Sequence, residues 1–461
     1  MTESVIAHIA RWCASDHDFS PTARERARHA IADTVACILA GIDDPSTLAV
    51  RRAFAAAIGT DGGVAVAGGG TASPACAALV NGTAAHALDY DDNFRPAISH
   101  ASAVLVPALL AVAEAERVGG RALIDAYLVG LEAQAAVGRG VQPVHYTLGW
   151  HSTSTVGCIG TAAAVAWLQG QDEAGIARAI STSVSMAAGV KGQFGTAIKP
   201  VHAGLAARNA VEAAELAKAG MVGRLDILEG PQGFAELFAT DDAPGWRDVT
   251  GRIGRPHVIE SDGVLPKRHP CCGSTHLVLD ALLDHKRMHG FEAREVRQVE
   301  TLVGIANARN LAYPDPRDAM QARFSMQYCV ARALVQDRLT LADFTDEAVA
   351  ATDIRRLLPL IGMTAYSAGQ ERAALPGRLP HRISVHLDDG RVLEALRHDA
   401  KGAITDPFSE EDRRAKFQDC AAPRLGAARA EALYVLLSSL DGQDDVAFVA
   451  DALAAVQAKA G

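Results

Sequence analysis

Residues 86–100, HALDYDDNFRPAISH, carry three aspartates, a tyrosine and two histidines directly after an alanine-rich apolar run. Carboxylates and imidazoles at this density can hold and pass a proton near neutral pH. Related groups recur further along. VHYTLGWHSTSTVG places His145, Tyr146 and His151 on a loop that feeds an apolar stretch. GQFGTAIKPVHAG sets Lys199 before Pro200 and His202, and PKRHPCCGSTH sets Lys267 just ahead of Cys271, Cys272 and His276. Brought together, these junctions would form a cleft of acid–base groups and cations. Such a cleft suits adding or removing a proton beside a carboxylate, where fixed positive charge must stabilise the developing anion. Lys199, ahead of a helix, would add its charge to the positive field of the helix N-terminus. The plainer reading is a lysine that snorkels from a helix start.

Other chemistries lack their signatures. Asp89, Asp91 and Asp92 do not follow EF-hand spacing, and Cys271, Cys272 and His276 lack a fourth ligand at a familiar zinc spacing. GGVAVAGGGTASP (62–74) fits only part of GxGxxG and reads as a turn before a helix. No HExxH, Walker loop or GxSxG is present. The expectation is a site without cofactor or metal.

The elements that must position these residues are mostly helical. Ser20-Pro21 is a helix start, with a capping hydroxyl and then proline in the first turn. Apolar spacing places further helices at 46–57, 73–89, 101–117, 120–138, 154–169, 172–188 and 202–219. Several, such as VGCIGTAAAVAWL, are apolar all round, as helices buried on every side are. Near Pro266 the character changes. VRQVETLVGIA (296–306) is valine-rich with partial alternation, FSMQYCVARALV is helical, and HRISVHLDDGRVLEAL (381–396) reads as a hairpin turning at DDG. After Pro407 helical patterns return, over 410–420, 427–440 and 445–460. The fold class expected is mainly α. A large helical domain (1–265, rejoined by 400–461) would carry an inserted α+β lid domain (266–399).

The 461 residues are 49% hydrophobic and 21% charged, as suits a soluble chain with a large core. A net charge of −10 argues against nucleic acid as a partner. No apolar run reaches a membrane span, and MTESVIAHIARW lacks the basic and apolar regions of a signal peptide. The eight cysteines are scattered but for the adjacent pair, which fits reduced thiols in a cytoplasmic protein.

NGTAAHALDYDDNF, GWHSTSTVG, IKPVHAGLAARNA and KRHPCCGSTHLVLDA together resemble the MmgE/PrpD family, whose members include 2-methylcitrate dehydratases, cis-aconitate decarboxylases and iminodisuccinate epimerases. The resemblance runs over nearly the whole chain. It implies a helical domain built from both chain ends, an inserted lid, a homodimer, and no required cofactor or metal. It also implies catalytic roles for Asp89, His100, His151 and Lys199, with Lys267 and Tyr313 binding substrate. Asn93 stands where the decarboxylases carry threonine, and one extra residue separates Asp89 from His100. The longer insert of the dehydratases is missing. Tyr146 lies where an epimerase-type acid–base tyrosine would pair with Lys199, and His202 is added as a substrate-binding group. The expected function is a cofactor-independent lyase, a dehydratase or decarboxylase, on a small di- or tricarboxylate. The alternatives are an epimerase of a small dicarboxylate using Lys199 and Tyr146, and a non-catalytic polycarboxylate-binding protein.

Overall fold

The computed structural model describes residues 3–59, 62–375 and 377–455. The fold is mainly α. The chain divides into two units: one runs to Gln193 and includes Ala197–Pro266 and the residues from Glu410 on, and the other comprises Phe194–Thr196 and Lys267–Ser409. The second unit ends at Ser409, later than the expected 399. Arg397 and Lys401 both bind Asp406, and the Lys401 amide donates to Asp280 Oδ2 at 2.8 Å, which ties 400–409 to it.

In the first unit the expected helices form with shifted ends. The helix Pro21–Ala40 starts as read, with the Ser20 hydroxyl accepting the Ala23 amide at 3.0 Å. The helix Thr155–Leu168 buries every residue except Trp167, so its all-round apolar sequence matches its all-round burial. The helix expected at 73–89 stops at His86, because the chain turns left-handed at Asp89 (φ 52°). The helix expected from 202 begins earlier and spans Ile198–Lys218, so Lys199 lies inside its first turn. The glycine-rich turn at 62–74 includes a small antiparallel ladder, Val64–Ala65 against Thr71–Ala72, closed over Gly68, Gly69 and Gly70 at positive φ.

The helices Pro74–His86 and Ile198–Lys218 cross at two glycines. A β-carbon at Gly82 would lie 2.9 Å from the Gly204 Cα, and one at Gly204 would overlap the Leu79 carbonyl oxygen and the Thr83 hydroxyl. Only hydrogens at both positions let the backbones approach this closely. The C-terminal return joins the same unit as helices Glu410–Leu425, Ala427–Ser438 and Ala447–Ala454. The last residues expected in its third helix (456–460) lie outside the described ones. Lys416 is buried; it binds Asp33 at 2.8 Å and donates to the Tyr90 carbonyl at 2.8 Å.

The second unit holds a four-stranded sheet in the order Ile361–Ala365, Val296–Val303, His381–Leu387, Val392–Arg397. The first pair is parallel, and the other two are antiparallel. Its core is apolar, including Val299, Phe324, Val330 and Val385. Ile361–Ala365 was not anticipated; IGMTA is short, glycine-containing and lacks a clear alternation. All eight cysteines are buried.

Candidate active site in the helical unit

Three aspartates that are close in sequence meet three different partners. Asp89, in its left-handed turn, forms an ion pair with Lys199, and both side chains are nearly inaccessible. A lysine in the first turn of a helix opposes the helix dipole, and burial adds a desolvation cost; Asp89 offsets both. Asp91, fully buried, accepts His86 Nδ1–H at 2.8 Å on Oδ2, and His100 Nδ1 stands 3.1 Å from that same oxygen. Asp92 lies at the start of the helix Ser102–Glu116, where its Oδ1 is 3.4 Å from the Ser102 amide. Burial pushes the Asp92 carboxyl up to about 7, with Asp91 and Asp33 adding to the shift against the Ser102 bond.

The loop after Asp92 is held so that His100 returns to Asp91. Phe94 and Ser99 exchange backbone hydrogen bonds at 2.7 and 3.1 Å, and the His100 amide donates to Thr153 Oγ1 at 3.0 Å. His151 enters from the next junction. Its amide donates to the Gly189 carbonyl at 3.1 Å, while its own carbonyl accepts the Ser154 and Thr155 amides at the head of the helix Thr155–Leu168. The His86 ring lies 4.5 Å from the His100 ring and 5.7 Å from the His151 ring, centre to centre. His151 and His202 bring their Nδ1 atoms to 3.1 Å, so one carries the hydrogen and the other accepts it.

Burial drives the imidazole pKa values down. His86 falls to about 3 and His202 to about 4, with Lys199 adding to the burial effect in both. His151 is also held well below its ordinary value, by burial first and then by His86 and Lys199. Burial alone would raise Asp91, but the His86 and His100 imidazoles outweigh it and keep the carboxyl well below the usual range. Donor atoms of His86, Asp89, Asp91 and His100 all lie within 4.8 Å of one another. That is a set a divalent ion could use, although Lys199 already supplies a cation at Asp89.

The structure therefore brings Asp89, His100, His151, Lys199 and His202 into one network with His86 and Asp91, which the sequence reading had not selected. The signal for both was present: they flank Asp89 within HALDYDD. Tyr146 carries the Lys191 ammonium 3.5 Å above its ring, and Lys191 Nζ donates to the Tyr146 carbonyl at 3.3 Å. The half-buried Asn93 pairs through its backbone with Leu265, both bonds at 2.9 Å. His145 is bound at both nitrogens, to the Phe238 carbonyl at 2.9 Å and Thr155 Oγ1 at 2.7 Å, and serves the packing.

Lys267 and Tyr313 belong to the second unit. Lys267 is fully buried. The segment after it is cross-tied: Arg268 and His269 both reach Asp280 Oδ1 at 3.1 Å, and His276 Nε2 is 3.2 Å from the Cys271 carbonyl. Cys271 Sγ contacts Thr275 Oγ1 at 3.2 Å, so the cysteine pair packs inside this turn. The Tyr313 hydroxyl donates to the Phe194 carbonyl at 3.3 Å, over Gly195, where a β-carbon would overlap it.

Among known proteins, residues 7–247 match the MmgE/PrpD N-terminal domain and residues 269–441 the MmgE/PrpD C-terminal domain. The chain is 28% identical over 387 residues to the cis-aconitate decarboxylase of Homo sapiens, covering 81% of this chain and 78% of that protein. It is 25% identical over 468 residues to a cis-aconitate decarboxylase-like protein of Aspergillus oryzae, covering 96% of each. It is 23% identical over 469 residues to a cis-aconitate decarboxylase of Aspergillus terreus, covering 96% of this chain and 94% of that protein.

Proposed function

The chain belongs to the MmgE/PrpD family and is an enzyme of the lyase class; from that premise we propose that it decarboxylates a small tricarboxylate. Cis-aconitate, the acid named for its relatives, is the first to test. One observation carries the reading: a buried Lys199–Asp89 pair sits in a network with the carboxylate-held imidazoles of His86 and His100 and the coupled His151–His202 pair.

Loss of carbon dioxide breaks a carbon–carbon bond and leaves its electron pair on the substrate. That pair spreads toward a neighbouring carboxylate, and a fixed ammonium stabilises the charge. Lys199 supplies the ammonium, and His100 or His151 returns a proton to carbon. Water-poor surroundings strengthen each of these interactions. Lys267, Tyr313 and Asn93 are assigned to substrate binding, and the chain to a homodimer, on family resemblance; the cytoplasmic setting is proposed from the scattered cysteines of the sequence. Among the described residues no helix is long and apolar enough to cross a membrane.

An epimerase would need Tyr146 and Lys199 on opposite sides of one carbon. The contacts described above give Tyr146 to Lys191 and Lys199 to Asp89, so no observation favours it over the lyase. The test is NMR of cis-aconitate with the enzyme in deuterated water. Release of carbon dioxide with one deuteron on the product carbon is expected. Loss or addition of water would redirect the reading to a dehydratase. Deuterium exchange without a new product would redirect it to an epimerase, and inertness toward this and related polycarboxylates would end it.

A further inference from the structure

We infer that Cys37 and Cys420 form a redox-active dithiol, which a peroxide converts to a disulfide that staples the C-terminal return onto the helix Pro21–Ala40. The inference is independent of the reaction proposed above.

Two ion pairs set the register. The helices Pro21–Ala40 and Glu410–Leu425 pack together. Lys416 pairs with Asp33 at 2.8 Å, and Arg424 pairs at 2.6 Å with Asp43, just past the end of the first helix. Both partners advance toward the C-terminal side from one pair to the next, so the two helices run parallel along this contact. Cys37 lies one turn beyond Asp33, and Cys420 one turn beyond Lys416. Residues four apart share a helix face, so the two cysteines meet between the ion pairs. Both are buried, and the Cys37 thiol donates to the Cys420 sulfur. A disulfide needs side chains aimed at each other, and this register aims them.

The pair is quiet at rest. The bond to Cys420 first, and burial after it, hold Cys37 well above its ordinary value, so it rests as a thiol. The return helix is held on one side only, by the stripe Lys416, Phe417, Cys420, Ala421 and Leu425. Local opening of such a helix brings Cys420 out to the oxidant. Its sulfur attacks one peroxide oxygen, the O–O bond breaks, and a sulfenic acid and water are left. When the helix reseats, Cys37 attacks the Cys420 sulfur. The S–S bond forms and the hydroxyl leaves as water. Both thiol protons end in water, the two sulfurs are oxidised by two electrons, and the peroxide is reduced. The buried Lys416 ammonium favours the Cys37 thiolate for the second step.

The staple falls where the chain's two ends hold each other. Lys416 donates to the Tyr90 carbonyl and sits 4.4 Å over the Tyr90 ring. Closing the disulfide one turn away fixes the helix that braces the turn between Asp89 and Asp91.

The test is peroxide treatment of the reduced full chain at neutral pH, followed by acid quench, alkylation of the remaining thiols and peptide mapping. A Cys37–Cys420 cross-linked peptide is expected, separated by dithiothreitol. Tm should rise by a few degrees on oxidation and return on reduction. The rise should be absent in Cys420→Ala. Cys271 and Cys329, the close pair of the other unit, are distinguished by the map. The proposal is overturned if both Cys37 and Cys420 remain alkylatable after hours in peroxide. It is overturned equally if either is carried to sulfinic acid or links elsewhere, or if the cross-link forms and Tm does not rise. The map of the wild-type chain decides the pairing even if Cys420→Ala does not fold.

Discussion

Asp89, Asp91 and Asp92 show how little residue type says about role. One neutralises a buried lysine, one holds two imidazoles, and one meets the first amide of a helix. The sequence made the density of ionisable groups plain and pointed to Asp89, His100, His151, Lys199 and His202. It did not separate the aspartates or single out His86 and Asp91. Their separation depends on a left-handed turn at Asp89, and an aspartate tolerates that turn without any mark in the sequence pattern. The Lys199–Asp89 pair makes a prediction at this scale. Lys199→Met should lower turnover of cis-aconitate by at least about 100-fold. It should also cost about 3 kcal/mol of stability, because breaking a buried ion pair strands a charge. Steady-state rates and denaturant titration of the same preparation would check both, and near-normal turnover would remove Lys199 from the chemistry.

At the scale of elements, the site depends on a close helix crossing. Pro74–His86 ends next to Asp89, and Ile198–Lys218 begins with Lys199; the two meet at Gly82 and Gly204. Gly204→Ala should force the helices apart at a cost of about 1–3 kcal/mol. It should lower kcat beyond any loss of folded protein by loosening the Lys199–Asp89 pair. Thermal unfolding alongside active-site-normalised rates would check this; an unchanged Tm would show that the crossing can relax. Helix existence was legible from apolar spacing, and helix ends were not. The helix beginning at Ile198 hid behind Pro200, which reads as a boundary but sits comfortably in a first turn. The parallel strand Ile361–Ala365 hid because its partner, Val296–Val303, is distant in sequence.

At the scale of the whole molecule, the many buried histidines set the response to acid. Burial drives His145, His202 and His381 down to about 4 and His86 to about 3. Their unfolded value is about 6.5. The unfolded chain therefore takes up protons that the folded one refuses, and stability falls as pH drops from about 6.5 toward 4. Asp92 and Glu132, raised to about 7 chiefly by burial, act in the opposite sense over the same window but are fewer. The net loss between pH 7 and pH 5 should be on the order of 3 kcal/mol. Calorimetry across that range would show Tm falling with acidification; a flat or rising Tm would contradict the buried neutral state of these rings. Composition and the valine-rich change near Pro266 made the mainly helical class and the change of character legible. The hold of the chain's last part on its first had no local signature, since it depends on Lys416 reaching Asp33 and the Tyr90 carbonyl. That reach has a consequence during synthesis. Tyr90 sits between Asp89 and Asp91, so the turn at Asp89 is pinned by a residue the ribosome adds more than three hundred positions later. A nascent chain cannot brace this turn until that lysine has been made, and any messenger cut short before it would yield a protein with the ionisable groups present and their anchor gone.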